Sequence, residues 1–429
     1  MIAGLQRTFS SLAVYNYRLY FIGQLVSVSG TWMQNIAQAW LVLQLTNSPV
    51  ALGTLTMLRF LPVTLLTLFG GVLADRLPKR RAVFCLQSLA ALQALLLAIL
   101  VLTHAIQLWQ LYALAFVYGV INAFDNPTRQ SFVMELVGRE RLQNAIALNS
   151  SLMNSARIIG PAIAGVAISV FGIGGGFLLN AISFLALLVA LLMMRSNELY
   201  RQPTPKASEP MFTQLGAGVR YALHTPEVLL ILILVGTLGT FGYNFNTVLP
   251  LIAKYVLHFG AAGFSLLLSA MGLGSLAGAL GVAYARRTSL PLLLVAGTAF
   301  SLLLFMIGLS PWAPVTLGLL VLLGVSSIMF SSSANTRLQL NAPGELRGRV
   351  LSMYFLLFAG TTPIGGLLVG VLAASVGVQS MVMLMAALCA LGVVGVAWYA
   401  RHTGHLGSSA GPHDRTEPGR QAALTIAKG

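Results

Sequence analysis

Residues 70–81 read GGVLADRLPKRR, and from Asp75 to Arg81 they pack five charged side chains into seven positions of a chain that is only 8% charged. On either side the sequence is apolar for about twenty residues, enough at 1.5 Å per residue to cross a hydrocarbon layer about 30 Å thick. A charged knot between two such runs is the signature of a short connection joining two membrane helices. Composition agrees: 57% of residues are hydrophobic and the mean hydropathy is +0.84, whereas a soluble domain is about a quarter charged. The apolar runs are continuous rather than alternating, which predicts helices and not barrel strands. The first run, from Tyr20, has no small-residue cleavage site and is expected to stay as a span. Cys85 and Cys389 are isolated within predicted spans and imply neither a disulfide nor a metal site.

The net charge of +15 is distributed in a way that argues against a nucleic-acid partner. Basic residues cluster at 76–81, 129–141, 195–220, 286–287, 337–349 and from Arg401 onward, while the intervening connections near Asn47, His104, Gly174, His258, Pro311 and Gly377 contain only Lys254. Every second connection is basic, and the Lys and Arg excess belongs on the cytoplasmic side. The reading is therefore twelve crossings with both termini inside, and of the 25 Lys and Arg residues only Lys254, Arg59 and Arg157 fall elsewhere. Such a chain belongs in a membrane, with the lipid bilayer as its solvent.

The expected architecture is an all-α membrane protein of two pseudo-symmetric six-helix bundles. The polar stretch RSNELYRQPTPKASEP, residues 195–210, divides the chain. Residues 1–197 form the first bundle, 198–225 a cytoplasmic linker carrying an interfacial helix, 226–400 the second bundle, and 401–429 a disordered tail. In the linker helix Phe212, Leu215, Val219 and Ala222 share one face.

An internal repeat supports the division. IIGPAIAGVAISVFG at 158–172 resembles PIGGLLVGVLAASVG at 363–377, pairing Gly160 with Gly365, Gly165 with Gly370 and Gly172 with Gly377, and the same offset pairs Glu140 with Glu345. Upstream, Thr128-Arg129 echoes Thr336-Arg337, with three residues inserted in the first copy. Parallel repeats in a polytopic protein point to two bundles around a shared site, the plan of a carrier that opens alternately to the two sides.

The stretch Gly71 to Arg81 resembles the loop signature of the major facilitator superfamily, in which Gly, Asp and then basic residues join the second and third helices. One position departs: Pro78 stands where that family usually has Gly. ARIIGPAIAG in the fifth span is similar to a Gly-Pro motif of exporters in this superfamily. Wider stretches, among them NYRLYFIGQLVSVSGTWMQNIAQAW and NAFDNPTRQSFVMELVGRERLQNAIALNSS, resemble the subfamily of bacterial siderophore exporters and macrolide-type or multidrug efflux pumps. The resemblance implies a secondary transporter, with efflux by proton antiport as the expected mode. Importer or uniporter action on the same scaffold is the alternative, and a membrane-embedded lipid-handling protein or enzyme is the alternative of another class.

The residues themselves mark three candidate sets. The first is a cytoplasmic latch: Gly71, Asp75, Arg76, Lys79 and Arg80, with Asp75 directed at the positive end of a neighbouring helix and Lys79 or Arg80 reaching Asp125 near the inner end of helix four. Asp125 is also the candidate for proton coupling. The second is a substrate cavity: Gln34, Gln38, Arg59, Asn122, Asn154, Arg157, Tyr243 and Asn244, drawn from polar stripes at helical spacing, which shun lipid. Arg59 and Arg157 lie mid-span, where a charge costs at least about 2.5 kcal/mol. Asp125 and Arg157 differ in depth by roughly 16 Å at 1.5 Å per residue, too far to pair. Arg157 is thus expected to face a wet cavity and an acidic or oxygen-rich group of the cargo, or to be bonded to backbone carbonyls. The third is a bend in helix five at Gly160, Pro161 and Gly165. Gly274 with Gly278, and Gly366 with Gly370, have the spacing of helix-packing surfaces.

Enzymatic chemistry finds no footing. There is no G-x-x-x-x-G-K-[ST] phosphate loop, no G-x-S-x-G elbow and no deep pair of carboxylates. His402, His405 and His413 read as part of a solvated tail, so no metal and no cofactor is expected. The partner implied is a small-molecule substrate, with proton coupling, handled by a monomer.

Overall fold

A computed structural model describes residues 9–200, 211–285 and 289–403 of the chain. The expected disorder of the tail beyond residue 403 and the placement of 201–210 and of Arg286 and Arg287 lie outside the described residues, as does the side chain of Asp75. Among the described residues the regular structure is helical throughout.

The first three long helices are α1 (Tyr15–Thr46), α2 (Pro49–Arg76) and α3 (Lys79–Leu102). Asn47, in the left-handed region at φ 48°, ends α1, and Ser48 caps α2 by accepting from the Ala51 N–H, with Pro49 supplying the first-turn residue that lacks a useless donor. A single hydrogen-bonded run, Leu108–Met193, follows, and it turns sharply at Gly138 (φ 70°) and Gly172 (φ 71°). These turns divide it into α4 (108–137), α5 (139–171) and α6 (173–193). Only glycine adopts such a φ without a penalty of about 1–2 kcal/mol.

The second half begins with α7 (Met211–His224), then α8 (Pro226–Phe241) and α9 (Phe245–Leu251), which runs into a π-helical turn at Ile252–Val256. It continues with α10 (Ala261–Ala285), α11 (Leu290–Leu309), α12 (Ala313–Asn341), α13 (Gly344–Phe358), α14 (Thr362–Val376) and α15 (Val378–His402). Nine described helical stretches are long and apolar enough to cross a bilayer, and one of them is the 86-residue run that holds three helices. Adding α1, whose polar stripe lowers its hydropathy, brings the crossings to the expected twelve.

Burial follows helical periodicity. On α3, Ala90, Ala94 and Leu97 are buried while Leu89, Leu92, Leu96 and Ile99 are exposed, an apolar outward stripe that needs hydrocarbon around it. By contact density the chain forms two units. The first comprises 1–205 together with 249–269, and the second comprises 206–248 and 270–429. The first is built on a cluster of Tyr17, Tyr20, Val83, Phe132, Leu136, Leu187 and Leu191. In the second, α10 and α12 approach until a Cβ at Gly274 or Gly278 would strike the Val321 and Val325 backbone, which is the packing role expected from that glycine spacing. Tyr221 of α7 donates to the Asn341 carbonyl at 2.8 Å, and Ala222 is buried while Val219 is exposed.

The repeat has a conformational counterpart. Gly172 and Gly377, paired by sequence, both carry left-handed φ, 71° and 84°, at the turn into the last helix of their half. Elsewhere the copies diverge. Helix α5 is continuous from 139 to 171, whereas its equivalent is broken into α13 and α14 at residues 359–361. Similarly α1 is unbroken, but the seventh crossing is interrupted at 242–244 between α8 and α9. The two breaks are neighbours: a Cβ at Gly239 would meet Leu357 O, and Gly365 lies against Thr240 O and Asn244.

Candidate functional site

Two buried polar networks occupy the first unit. In the outer one, Gln34 is the hub: its Nε2 donates to Gln93 Oε1 at 3.0 Å and its Oε1 accepts from Asn180 Nδ2 at 2.6 Å. Gln93 in turn donates to the Leu114 carbonyl at 3.1 Å, and Ser183 donates to the Asn180 carbonyl at 2.7 Å. Four helices, α1, α3, α4 and α6, are thereby tied through amides that lipid could not satisfy. Gln34 is therefore a structural hub. Gln38, one turn further along α1, is equally buried, and neither of its side-chain polar atoms has a hydrogen-bond partner.

The second network holds charge. Asp125 on α4 is 4% exposed, pairs with Arg129 one turn on at 2.7 Å, and accepts from Gln87 Nε2 of α3 at 2.9 Å. The Tyr20 ring stands beside Arg129 and meets Phe132 edge-on, with centroids 5.8 Å apart. This corrects the expected partnership of Asp125. Neither Lys79 nor Arg80 reaches it: Lys79 pairs with Glu135 at 3.6 Å, and Arg80 turns to the end of α6, where its Nε donates to Leu191 O at 2.8 Å and its Nη2 to Leu192 O at 3.2 Å. Ser196 accepts a third, very short bond from the same guanidinium. The physical reason is the placement of Lys79, Arg80 and Arg81 in the first turn of α3, the positive end of that helix. Cations there are stabilised by leaving it for a carboxylate or for the carbonyl end of another helix. Arg76 is exposed, and Gly71 has open space where a side chain would be. Pro78 begins α3 as its N-cap residue, so the connection has shrunk to Leu77 and Pro78.

Of the proposed cavity residues, Arg59 stacks over Tyr118 with its Cζ 5.2 Å from the ring centroid and 5.6 Å from that of Phe60, an arrangement that offsets burial of a cation. Asn122 donates to the Tyr118 carbonyl one turn back at 3.0 Å. Asn154 and Arg157 lie exposed on the same face of α5. On that helix Gly160 and Pro161 are buried, with Gly160 against the Trp32 side chain and Gly165 against Ser265. Pro161 lies inside a continuous helical run, and the sharp turns at Gly138 and Gly172 bound α5 at its two ends.

In the second unit Tyr243 and Asn244 sit in the break between α8 and α9. Tyr243 donates to Ser327 O at 2.7 Å and is packed among rings, stacked on Phe300 at 5.0 Å and tilted against Phe358 at 4.6 Å. Asn244 Nδ2 donates to Thr240 O at 2.7 Å, while its buried Oδ1 has no partner. The repeat also matches Arg129 with Arg337, and Arg337 is bonded to Glu227 of α8. Its sequence equivalent of Asp125 is Ser333. Both halves thus hold a partly buried arginine at corresponding places but take the carboxylate from different helices. Gln87, Gln93, Arg129, Asn180 and Glu227 were absent from the sequence-based sets. Arg129 was legible from its spacing of four from Asp125, whereas the glutamines act across helices and leave no local pattern.

A family model described as transmembrane secretion effector matches residues 6–418. The multidrug efflux pump Tap of Mycolicibacterium fortuitum is 27% identical over 392 residues, covering 88% of this chain and 94% of Tap. The enterobactin exporter EntS of Citrobacter koseri is 26% identical over 361 residues, covering 83% and 85%. Among solved structures, a POT family transporter in complex with a thioalcohol-conjugated peptide superimposes with a TM-score of 0.72 at 16% identity, over 90% of this chain and 96% of that one.

Proposed function

Because the chain belongs to the transmembrane secretion effector family of major facilitator transporters, we propose that it exports a small amphipathic or chelator-like molecule, a siderophore or a drug, by proton antiport with alternating access. The family and its relatives are transporters of small molecules and not enzymes. The efflux relatives named above support the outward direction. A bacterial inner membrane with both chain ends in the cytoplasm fits the alternation of basic connections.

The observation that carries the coupling is the Gln87–Asp125–Arg129 network. A carboxylate held inside a helical bundle by one arginine and one amide has two stable arrangements. Ionised, it pairs with Arg129; protonated, it keeps a hydrogen bond to Gln87 and releases the cation. A proton arriving at Asp125 therefore frees Arg129 to take another anion, and its departure restores the pair. Arg157 and Asn154, exposed on α5, are the groups proposed to meet an acidic or oxygen-rich part of the cargo, with Arg59, Gln38, Tyr243 and Asn244 as further contacts. Asp75, at the end of α2 beside the Leu77–Pro78 connection, is the group proposed to act as the cytoplasmic latch.

The test is transport by the purified protein in liposomes, with an imposed pH gradient, of erythromycin, ethidium and a catecholate chelator. Uptake into inside-acid vesicles by one of these, abolished by Asp125→Asn and by collapse of the gradient, is expected. Gradient-independent equilibration of all three would replace antiport with uniport.

A further inference from the structure

The first unit has a cavity of about 900 Å³ that takes no part in either polar network. It lies at the far end of the bundle from the 76–81 connection, since α3 begins at that connection and ends at the cavity with Leu102. Its walls are the last turns of α1 (Trp40, Gln44), the α3–α4 turn (His104), the end of α5 (Ser169, Phe171) and the first residues of α10. Two of the four walls turn through left-handed backbone, His104 at φ 56° and Gly172 at φ 71°. A Cβ at Gly172 or at Gly260 would meet nothing within 4 Å, so the main chain itself faces the space.

Size and lining define the occupant. The volume is that of sites for drug-sized molecules. Flat rings, Trp40 and Phe171, stand beside one amide, one imidazole and one hydroxyl, and no carboxylate, lysine or arginine is among the lining residues. The lining offers a charged ligand no counter-ion, whereas a neutral ring bearing a hydroxyl would cover its face against the aromatic side chains and keep a hydrogen bond.

The fourth wall gives the cavity a role. Residues 249–269 belong to the first unit, although the chain on both sides of them belongs to the second. What fastens them is a clamp on the end of α1: Lys254 Nζ donates to Leu43 O at 2.5 Å and to Asn47 Oδ1 at 2.6 Å, and the Tyr255 hydroxyl donates to Asn47 O at 2.7 Å. The cation meets the carbonyl end of a helix, where its charge is stabilised. A molecule in the cavity would touch α1, α3 and α5 on one side and the clamped segment on the other. We infer that this cavity is a second ligand site, for neutral flat-ring amphiphiles, whose occupancy and the Lys254 clamp stabilise each other. The coupling is reciprocal by linkage: whatever loosens the clamp weakens the ligand, and the ligand tightens the clamp.

The experiment needs no knowledge of the cargo. The full-length protein in lipid nanodiscs is titrated with 6-bromo-2-naphthol, a neutral ring with a heavy-atom quencher, and the Trp40 contribution is isolated by subtracting the signal of Trp40→Phe. Saturable quenching is expected, with its midpoint raised at least about tenfold, or about 1.4 kcal/mol, by Ser169→Phe. Gln44→Phe, which fills the space from the opposite wall, should act alike and serves if the first variant does not insert. Lys254→Ala, which leaves three walls intact, should raise the midpoint several-fold, whereas Val189→Phe on an exposed face of α6 should not. Quenching that grows linearly with probe and is indifferent to both filling variants is partition into lipid and overturns the site. Saturable binding that ignores Lys254→Ala overturns the coupling.

Discussion

Asp125 and Arg129 set the terms at the scale of single residues. A buried ion pair adds little net stability over an apolar pair of the same shape, but removing one member strands the other, at a cost of about 3–5 kcal/mol. Asp125→Asn should therefore lower stability in detergent by an amount of that order, and Asp125→Leu combined with Arg129→Met should recover most of it; unfolding followed by tryptophan fluorescence measures both. A double variant no more stable than the single one would show that the pair is not a closed unit. At Arg157 the relevant chemistry is the planar fork. Arg157→Lys keeps the charge and loses the bidentate geometry, so cargo affinity should fall about tenfold or more at unchanged abundance, read by binding to the reconstituted protein. Asp75→Asn should abolish transport with insertion and abundance intact, as the latch requires. Arg59 differs in kind: its stacking on Tyr118 already supplies a neighbour suited to a cation.

Among the helices, the turns at Gly172 and Gly377 offer the cleanest comparison. Neither has any atom within 4 Å of a prospective Cβ, so alanine there pays only for the backbone, a positive φ with ψ near 180° that is essentially glycine's alone, about 1–3 kcal/mol. Gly172→Ala and Gly377→Ala should lose similar stability, and asparagine should cost about as much as alanine at both, because a ψ of 178° or 159° lies outside the left-handed helical region that asparagine tolerates; denaturation curves of the four variants would decide. Gly160→Ala, by contrast, must push into Trp32. The sequence-level reading reached these glycines because a repeat pairs them, and it reached the helices because apolar length and the basic alternation are properties of the chain itself. It did not reach the breaks at 242–244 and 359–361. Gly242 lies in the first and Gly360, followed by Pro363, in the second, but such residues are frequent in membrane spans, and whether they interrupt the helix depends on how two crossings pack together. The Asp125 contacts were missed for a related reason. Positive charges look interchangeable along a sequence, but the dipole of the helix they start sends each to a different acceptor.

For the whole molecule, the proposed orientation rests on arithmetic on Lys and Arg. A fluorescent protein fused after Gly429 should glow in cells, and a cysteine at the exposed His104 turn should react with an impermeant maleimide added outside; the reverse pattern would invert the topology. Such a global rule is usually regarded as satisfied once translation ends. Arg80 shows that the same guanidinium later acquires a fixed position, fastened across Leu191 and Leu192. Its acceptors lie more than a hundred residues downstream, so while the ribosome is still making the intervening helices this arginine acts only as an anchor against translocation. A nascent chain arrested before residue 191 should already thread its first hairpin correctly, and only completion of the sixth crossing converts a sorting signal into mortar.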